Sequence, residues 1–231
     1  MPIKMIVLDL DGTLMDSDHQ ISKANIAAIH RVKELGVLVT ICTGRVLAMS
    51  KHVLDKVGCC DYMINNNGSS IYDVKQGAFI EKRFMSPDRV QAVAQCLLDT
   101  GAFFESYIDD GAACPAQVFD KWLDTGVPLN YYKRFAKQEI QLDNFLEDIK
   151  GYDVFKFFFP HPDEKLLAET KKRVLAIPGV DATMSGTHNF EAFAEGMDKI
   201  FGMERLLDAL KLDFSQVLAI GDSENDLKLV V

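Results

Sequence analysis

The chain has 231 residues, 48% of them apolar and 26% charged, a balance that suits one large soluble domain or two modest ones with sizeable cores. Its net charge of −9, without a lysine or arginine stripe, excludes the electrostatic footprint of a nucleic-acid binder, so an anionic ligand has to be attracted locally. No stretch approaches the roughly 20 apolar residues of a membrane-spanning helix, and the amino terminus lacks the ordered regions of a signal peptide. The five cysteines, Cys42, Cys59, Cys60, Cys96 and Cys114, show no metal-type pairing, and their odd number argues against a complete disulfide framework. Small buried thiols in a reduced, cytoplasmic compartment are expected.

Ile3, Met5, Ile6, Val7 and Leu8 read as a buried strand that ends in Asp9-Leu10-Asp11-Gly12-Thr13. Asp is a poor strand-interior residue, and the strand tips of open α/β sheets are where such folds bind ligands. The same residues also suit a plain Asp-Gly turn. Ser22 is placed to cap a helix bearing Ile26, Ile29, Val32 and Leu35, with Gly36 to end it. A second strand, 37–41, leads into Cys42-Thr43-Gly44-Arg45, a helix follows to about Val57, and strand 62–64 ends at Asn65-Asn66-Asn67-Gly68. This alternation predicts a parallel sheet covered on both faces.

Beyond Gly68, segments 69–73 and 78–84 predict an antiparallel hairpin joined through Gly77, and an inserted domain is expected to start just after it. Ser86-Pro87 opens a helix that Gly101 ends, strands are predicted at 103–108, 154–159 and 181–184, and helical patterns lie at 116–124 and 163–176. The aromatics Phe103, Phe104, Tyr107, Trp122, Phe155, Phe157 and Phe158 are assigned to that domain's core. The first pattern then returns. Gly196-Met197-Asp198-Lys199 starts a helix carrying Ile200, Met203, Leu206, Leu207 and Leu210, and strand 217–220 ends in Gly221-Asp222-Ser223-Glu224-Asn225-Asp226.

In a doubly wound sheet, Asp9 and Asp11, Thr43 and Arg45, and Asp222, Asn225 and Asp226 fall along one edge. Converging carboxylates repel unless a cation joins them, and an oxygen donor set without His or Cys points to Mg²⁺. Lys199 stands at a helix start, where a cation opposes the dipole and is usually avoided.

The order DLDGT, TGR, a lone lysine and GDSEND resembles the four motifs of the haloacid dehalogenase superfamily of phosphotransferases. Asn67-Gly68 and the position of the insertion resemble its Cof-type hydrolases in particular. The resemblance spans 1–84 and 189–231, and implies an α/β fold: a doubly wound, parallel-sheet, Rossmann-like core of those two segments with an inserted α+β cap domain at 85–188.

It further implies that Asp9 is the nucleophile of an aspartyl-phosphate mechanism and that Asp11 protonates the leaving oxygen and then activates water. Mg²⁺ would be held by the Asp9 side chain, the Asp11 backbone carbonyl and Asp222, with Asp226 and Glu224 orienting that shell. The Thr43 hydroxyl, the Leu10 and Gly44 amides, Lys199 and Asn225 would bind the phosphoryl oxygens. Arg45 and Asn67 are candidates for touching the substrate beyond its phosphate, Glu191 for the approach to the site or a salt bridge, and loops 109–113 and 185–189 for facing it.

The function so implied is a Mg²⁺-dependent phosphatase of small phosphorylated metabolites, sugar phosphates foremost. A phosphomutase and a catalytically impaired phosphometabolite-binding protein are the alternatives. Two departures stand out. Ile200 follows the lysine where relatives often have Gly, and the sequence given stops at Val231, inside a helix that in the family leads to a further strand. Strand 217–220 is therefore expected to form an exposed, destabilising sheet edge.

Overall fold

The computed structural model describes residues 2–109, 111–126 and 139–230, and the chain divides into two compact units, Met1–Arg83 with Met197–Val231, and Phe84–Gly196. The first unit begins β1 (Met5–Leu8), α1 (Lys23–Glu34), β2 (Leu38–Cys42), α2 (Leu47–Val57), β3 (Tyr62–Asn65), with the predicted hairpin β4 (Ser70–Asp73) and β5 (Ala78–Lys82) after it. Ser22 caps α1 as expected, its Oγ accepting the Asn25 N–H at 3.0 Å.

The second unit runs α3 (Pro87–Leu98), β6 (Glu105–Ile108), β7 (Gly111–Pro115), β8 (Ile140–Leu142), α4 (Phe145–Asp148), β9 (Val154–Pro160), α5 (Glu164–Leu175), β10 (Val180–Gly186) and β11 (Asn189–Ala194). Its six strands form a sheet in the order β10-β11-β9-β6-β7-β8, antiparallel except for β7 beside β8. The segment read as helical at 116–124 is a 3-10 helix, Ala116–Thr125. Strands β7, β8 and β11 are additional to those read from sequence. Gly111-Ala112-Ala113 carries no alternation, and β11 is buried along nearly its whole length, so neither shows the period-two signature.

Because β11 pairs with β9 and β10, the first unit resumes at Met197 instead of residue 189. Phe103, Phe104, Trp122, Phe155 and Phe157 are buried as expected, and Phe103 packs on Trp122 at 5.7 Å between ring centroids. Cross-strand register puts Glu105, Tyr107, Lys156, Phe158 and Glu191 on one face of the sheet. There Lys156 Nζ lies 2.6 Å from Glu191 Oε1 and 4.8 Å from the centre of the Tyr107 ring.

Back in the first unit, α6 (Lys199–Leu210), β12 (Val217–Ile220) and α7 (Leu227–Val230) complete a six-stranded sheet of order β12-β1-β2-β3-β4-β5. Strands β12, β1, β2 and β3 are parallel, and β4 and β5 antiparallel. Alternate residues of β1 feed the two faces. Ile6 and Leu8 join Val39 and Ile41 under Ile29 of α1 and Val53, Leu54 and Val57 of α2. Met5 and Val7 join Ile64 and Ile71 under Met203, Leu206 and Leu207 of α6. The sheet is thus doubly wound, and β12 is its edge among the described residues, with Leu218 49% and Ile220 48% exposed. Among those residues no helix is long and apolar enough to cross a membrane.

Candidate active site

Leu8 of β1 sits in register with Ile220 of β12 and Ile41 of β2, so the chain leaves these parallel strands along a common edge. The Asp9 N–H donates to the Ile220 carbonyl at 2.9 Å, and the Thr43 N–H to that of Ile64 at 2.9 Å, which extends the ladder just past the strand ends. Asp9 is buried there and Asp222 is exposed. Gly12 adopts φ +89°, and a Cβ on it would run into the Asp222 carboxylate. Glycine therefore serves both the backbone conformation and the close approach of that acid. The Thr13 hydroxyl completes the junction by donating to Asp222 Oδ1 at 2.8 Å.

Asp9, Asp222 and Asp226 each present a carboxylate oxygen, all within 4.8 Å of one another. Lys199, 1% exposed at the first turn of α6, places its Nζ 2.6 Å from Asp9 Oδ1 and 2.7 Å from Asp226 Oδ1. Asp198 caps that helix by accepting the Phe201 N–H at 3.0 Å, so the cation is carried at the positive helix end by its two carboxylate partners. Asp226 is fixed from its other side, Oδ2 accepting from Ser223 Oγ at 3.0 Å.

Burial pushes Asp9 up to about 6, against the opposing pull of Lys199 and the Leu10 amide and reinforced by Asp226. Burial would lower the Lys199 ammonium, but the Asp9 and Asp226 carboxylates bonded to it hold it above its ordinary value. Burial likewise pushes the Cys42 thiol up to about 12, so it is a neutral floor residue and no nucleophile. Three carboxylates against one ammonium leave an excess of two negative charges, and the donor set is all oxygen. That arrangement fits a divalent hard cation such as Mg²⁺.

A second cluster lies on the neighbouring loops. Arg45 grips Asp11 with both arms of its fork, Nε to Oδ2 at 2.8 Å and Nη2 to Oδ1. Thr43 Oγ1 accepts the Arg45 N–H at 3.2 Å, and the Asn67 N–H donates to the Thr43 carbonyl at 3.2 Å. Asn225 Nδ2 donates to Asn67 Oδ1 at 3.3 Å. The 3-10 turn holding Asn67 is brought against α6 at Gly68, φ +101°, where a Cβ would collide with the Asp198 carbonyl.

The residues singled out from sequence thus gather in two groups, Asp9, Lys199, Asp222 and Asp226 around one centre, and Asp11 with Arg45, Thr43 with Asn67, and Asn67 with Asn225 beside it. The Asp11 side chain is turned to Arg45 and takes no place among the clustered carboxylates. Glu191 belongs to the second unit and pairs with Lys156. Segments 109–113 and 185–189 also belong to that unit. Asp110 and the Glu224 side chain lie outside the described residues. Sequence reasoning gave no role to Thr13, Ser223 or His19. The first two stand inside the motifs and could have been read from hydroxyls next to acids, whereas nothing in the spacing marks His19.

Strand tips that gather acids around a buried lysine define an α/β enzyme and not a structural module. The chain belongs to the haloacid dehalogenase-like hydrolases, whose family model matches residues 6–230. It is 29% identical over 247 aligned residues to the 5-amino-6-(5-phospho-D-ribitylamino)uracil phosphatase YwtE of Bacillus subtilis (strain 168), covering 98% of this chain and 84% of that protein. It is 27% identical to an HMP-PP phosphatase of Yersinia enterocolitica, covering 98% of this chain and 80% of the relative. A solved haloacid dehalogenase-like hydrolase from B. subtilis superposes with a TM-score of 0.81 at 24% identity, over 99% of this chain and 87% of that one.

Proposed function

We propose that the protein is a Mg²⁺-dependent phosphatase that hydrolyses monoesters of small phosphorylated metabolites, with phosphorylated sugars and sugar alcohols as the substrate class. The observation that carries this reading is the buried Asp9 carboxylate, tied to Lys199 and within 4.8 Å of Asp222 and Asp226. The relative YwtE, named for a phospho-D-ribityl compound, supports the substrate class. An odd cysteine count supports a cytoplasmic location.

With Lys199 holding Oδ1, Asp9 attacks phosphorus through Oδ2, and the bond from phosphorus to the leaving oxygen breaks. Asp11 gives that oxygen its proton. In the second displacement water attacks phosphorus, Asp11 takes the water's proton, and the Asp9–phosphorus bond breaks to return the carboxylate and free phosphate. Lys199, the Thr43 hydroxyl, the Leu10 and Gly44 amides and Asn225 stabilise charge on the transferring group, while Arg45 and Asn67 flank it. Asp9, the Asp11 carbonyl and Asp222 would hold the metal, with Asp226 behind them. The bound cation supplies charge neutralisation that lets a carboxylate approach a phosphate dianion.

The test is phosphate release from a panel of phosphate monoesters with Mg²⁺ present. Wild-type protein is expected to release phosphate and Asp9→Asn to release none. Turnover retained by Asp9→Asn overturns the mechanism, and an isomer formed in place of free phosphate overturns the hydrolase reading.

A further inference from the structure

His19 lies outside every motif read from the sequence, yet the fold delivers its ring to Asp11. The segment after β1 doubles back on itself through bridges between Asp11 and Met15 and between Met15 and Ile21. Its tip is a turn built by Asp16, whose Oδ1 accepts the N–H groups of Asp18 at 3.0 Å and Gln20 at 2.8 Å, while the His19 N–H donates to the Asp16 carbonyl at 2.9 Å. His19 is held there at φ +54°, a left-handed conformation that costs a residue with a Cβ about 1–2 kcal/mol. Glycine would suit that backbone better.

The ring so placed has Nδ1 3.4 Å from Arg45 Nη2 and 3.6 Å from Asp11 Oδ1. Arg45 Nη2 can only donate, so His19 Nδ1 accepts from it, and Arg45 Nη2 also donates to Asp11 Oδ1. Both protons of Nη2 are thereby committed, one to the imidazole and one to the carboxylate. The guanidinium itself is mostly covered, at 14% exposure, but the Asp11 carboxylate is 44% exposed on a loop. Left alone, such a side chain samples several rotamers, and proton transfer needs it within hydrogen-bond reach of the reacting oxygen.

We propose that His19 is a positioning residue for Asp11: it fixes the Arg45 fork, and the fork fixes the carboxyl that moves the proton. This rests on the phosphatase reading above. The fork brings the Asp11 carboxyl back to the same place after each donation to a leaving oxygen and each proton taken from water.

Leaving-group dependence isolates this role, because p-nitrophenolate departs without a proton and an alkoxide does not. His19→Gly removes the ring and relaxes the backbone, so its melting temperature is expected to equal or exceed that of the wild type. Its kcat/KM with a sugar phosphate is expected to fall on the order of 10-fold or more, and with p-nitrophenyl phosphate by less than about 3-fold. His19→Gln, whose amide oxygen can accept from Arg45, is expected to recover part of the loss. Equal losses on both substrates, or no loss on either, overturn the role of His19 and leave the phosphatase reading intact. Absence of phosphate release from both substrates by wild-type protein overturns the two together.

Discussion

Lys199 and Asp9 are 190 residues apart in sequence and 2.6 Å apart in space, Nζ to Oδ1. A lysine almost fully withdrawn from water is retained only where anions compensate it, and here Asp9 and Asp226 share that task. The contact joins the loop at the end of the first strand to the helix that opens the returning segment, so this ion pair ties the two halves of the first unit together.

Lys199→Met is expected to lower the stability of the metal-free protein by about 3–5 kcal/mol, because it strands two buried carboxylates facing each other. Mg²⁺ should restore part of the loss by replacing the missing charge. Urea unfolding with EDTA and with Mg²⁺ reads both effects, and a variant as stable as the wild type in EDTA would contradict the ion-pair assignment.

The burial that pushes Asp9 up to about 6 has a sign that can be followed through. A carboxylate raised on folding contributes stability that is complete below its unfolded value of 3.8 and is lost as pH rises through about 6 in the metal-free protein. Metal binding needs the ionised form, so Mg²⁺ affinity is expected to fall about tenfold per pH unit below that point. Calorimetric titrations on either side of pH 6 check this, and an affinity that does not change across it counts against Asp9 as a ligand.

Gly12→Ala should disable the site without touching a charged group, since its Cβ meets the Asp222 carboxylate and its φ of +89° is strained for alanine. A loss of about 1–2 kcal/mol in stability is expected from the backbone. At least tenfold weaker Mg²⁺ binding should accompany it, measured by the same titration. Unchanged metal affinity would show that Asp222 need not approach so closely.

The second unit carries its own pH response. Burial, with Glu139 beside it, raises Glu105 well above the usual carboxylate range, and burial raises Glu139 as well, while Tyr107 and Lys156 oppose the rise at Glu105 and the Cys114 thiol opposes it at Glu139. Stability from this pair is present below the ordinary value of 4.5 and is lost as pH rises through the folded values. Glu105→Gln, which keeps the shape without the ionisation, should flatten the dependence of the unfolding midpoint on pH. An unchanged slope would contradict the assignment.

The first unit was largely legible in its sequence because its signals are local. The switch from period two to helical period, the Ser22 cap, and acids abutting apolar runs each report a feature within a few residues. The meeting of Asp9 with Asp222 and Asp226 followed from the same logic, since strand tips of a parallel sheet share an edge. The second unit was harder to read. Its β11 is buried on both faces, β8 is short, and β7 begins with Gly and ends with Pro, so periodicity had little to act on. His19 was invisible for another reason: its role depends on a turn that only Asp16's hydrogen bonds define.

Direct measurement of divalent-ion binding tests the shared acidic centre most simply. Wild-type protein titrated with Mg²⁺ or Mn²⁺ should bind a single ion at the Asp9, Asp222 and Asp226 cluster, and Asp222→Asn should bind it at least tenfold more weakly, with phosphate release falling in step. Undiminished binding by Asp222→Asn, or full phosphate release in EDTA, would contradict a metal held by those carboxylates.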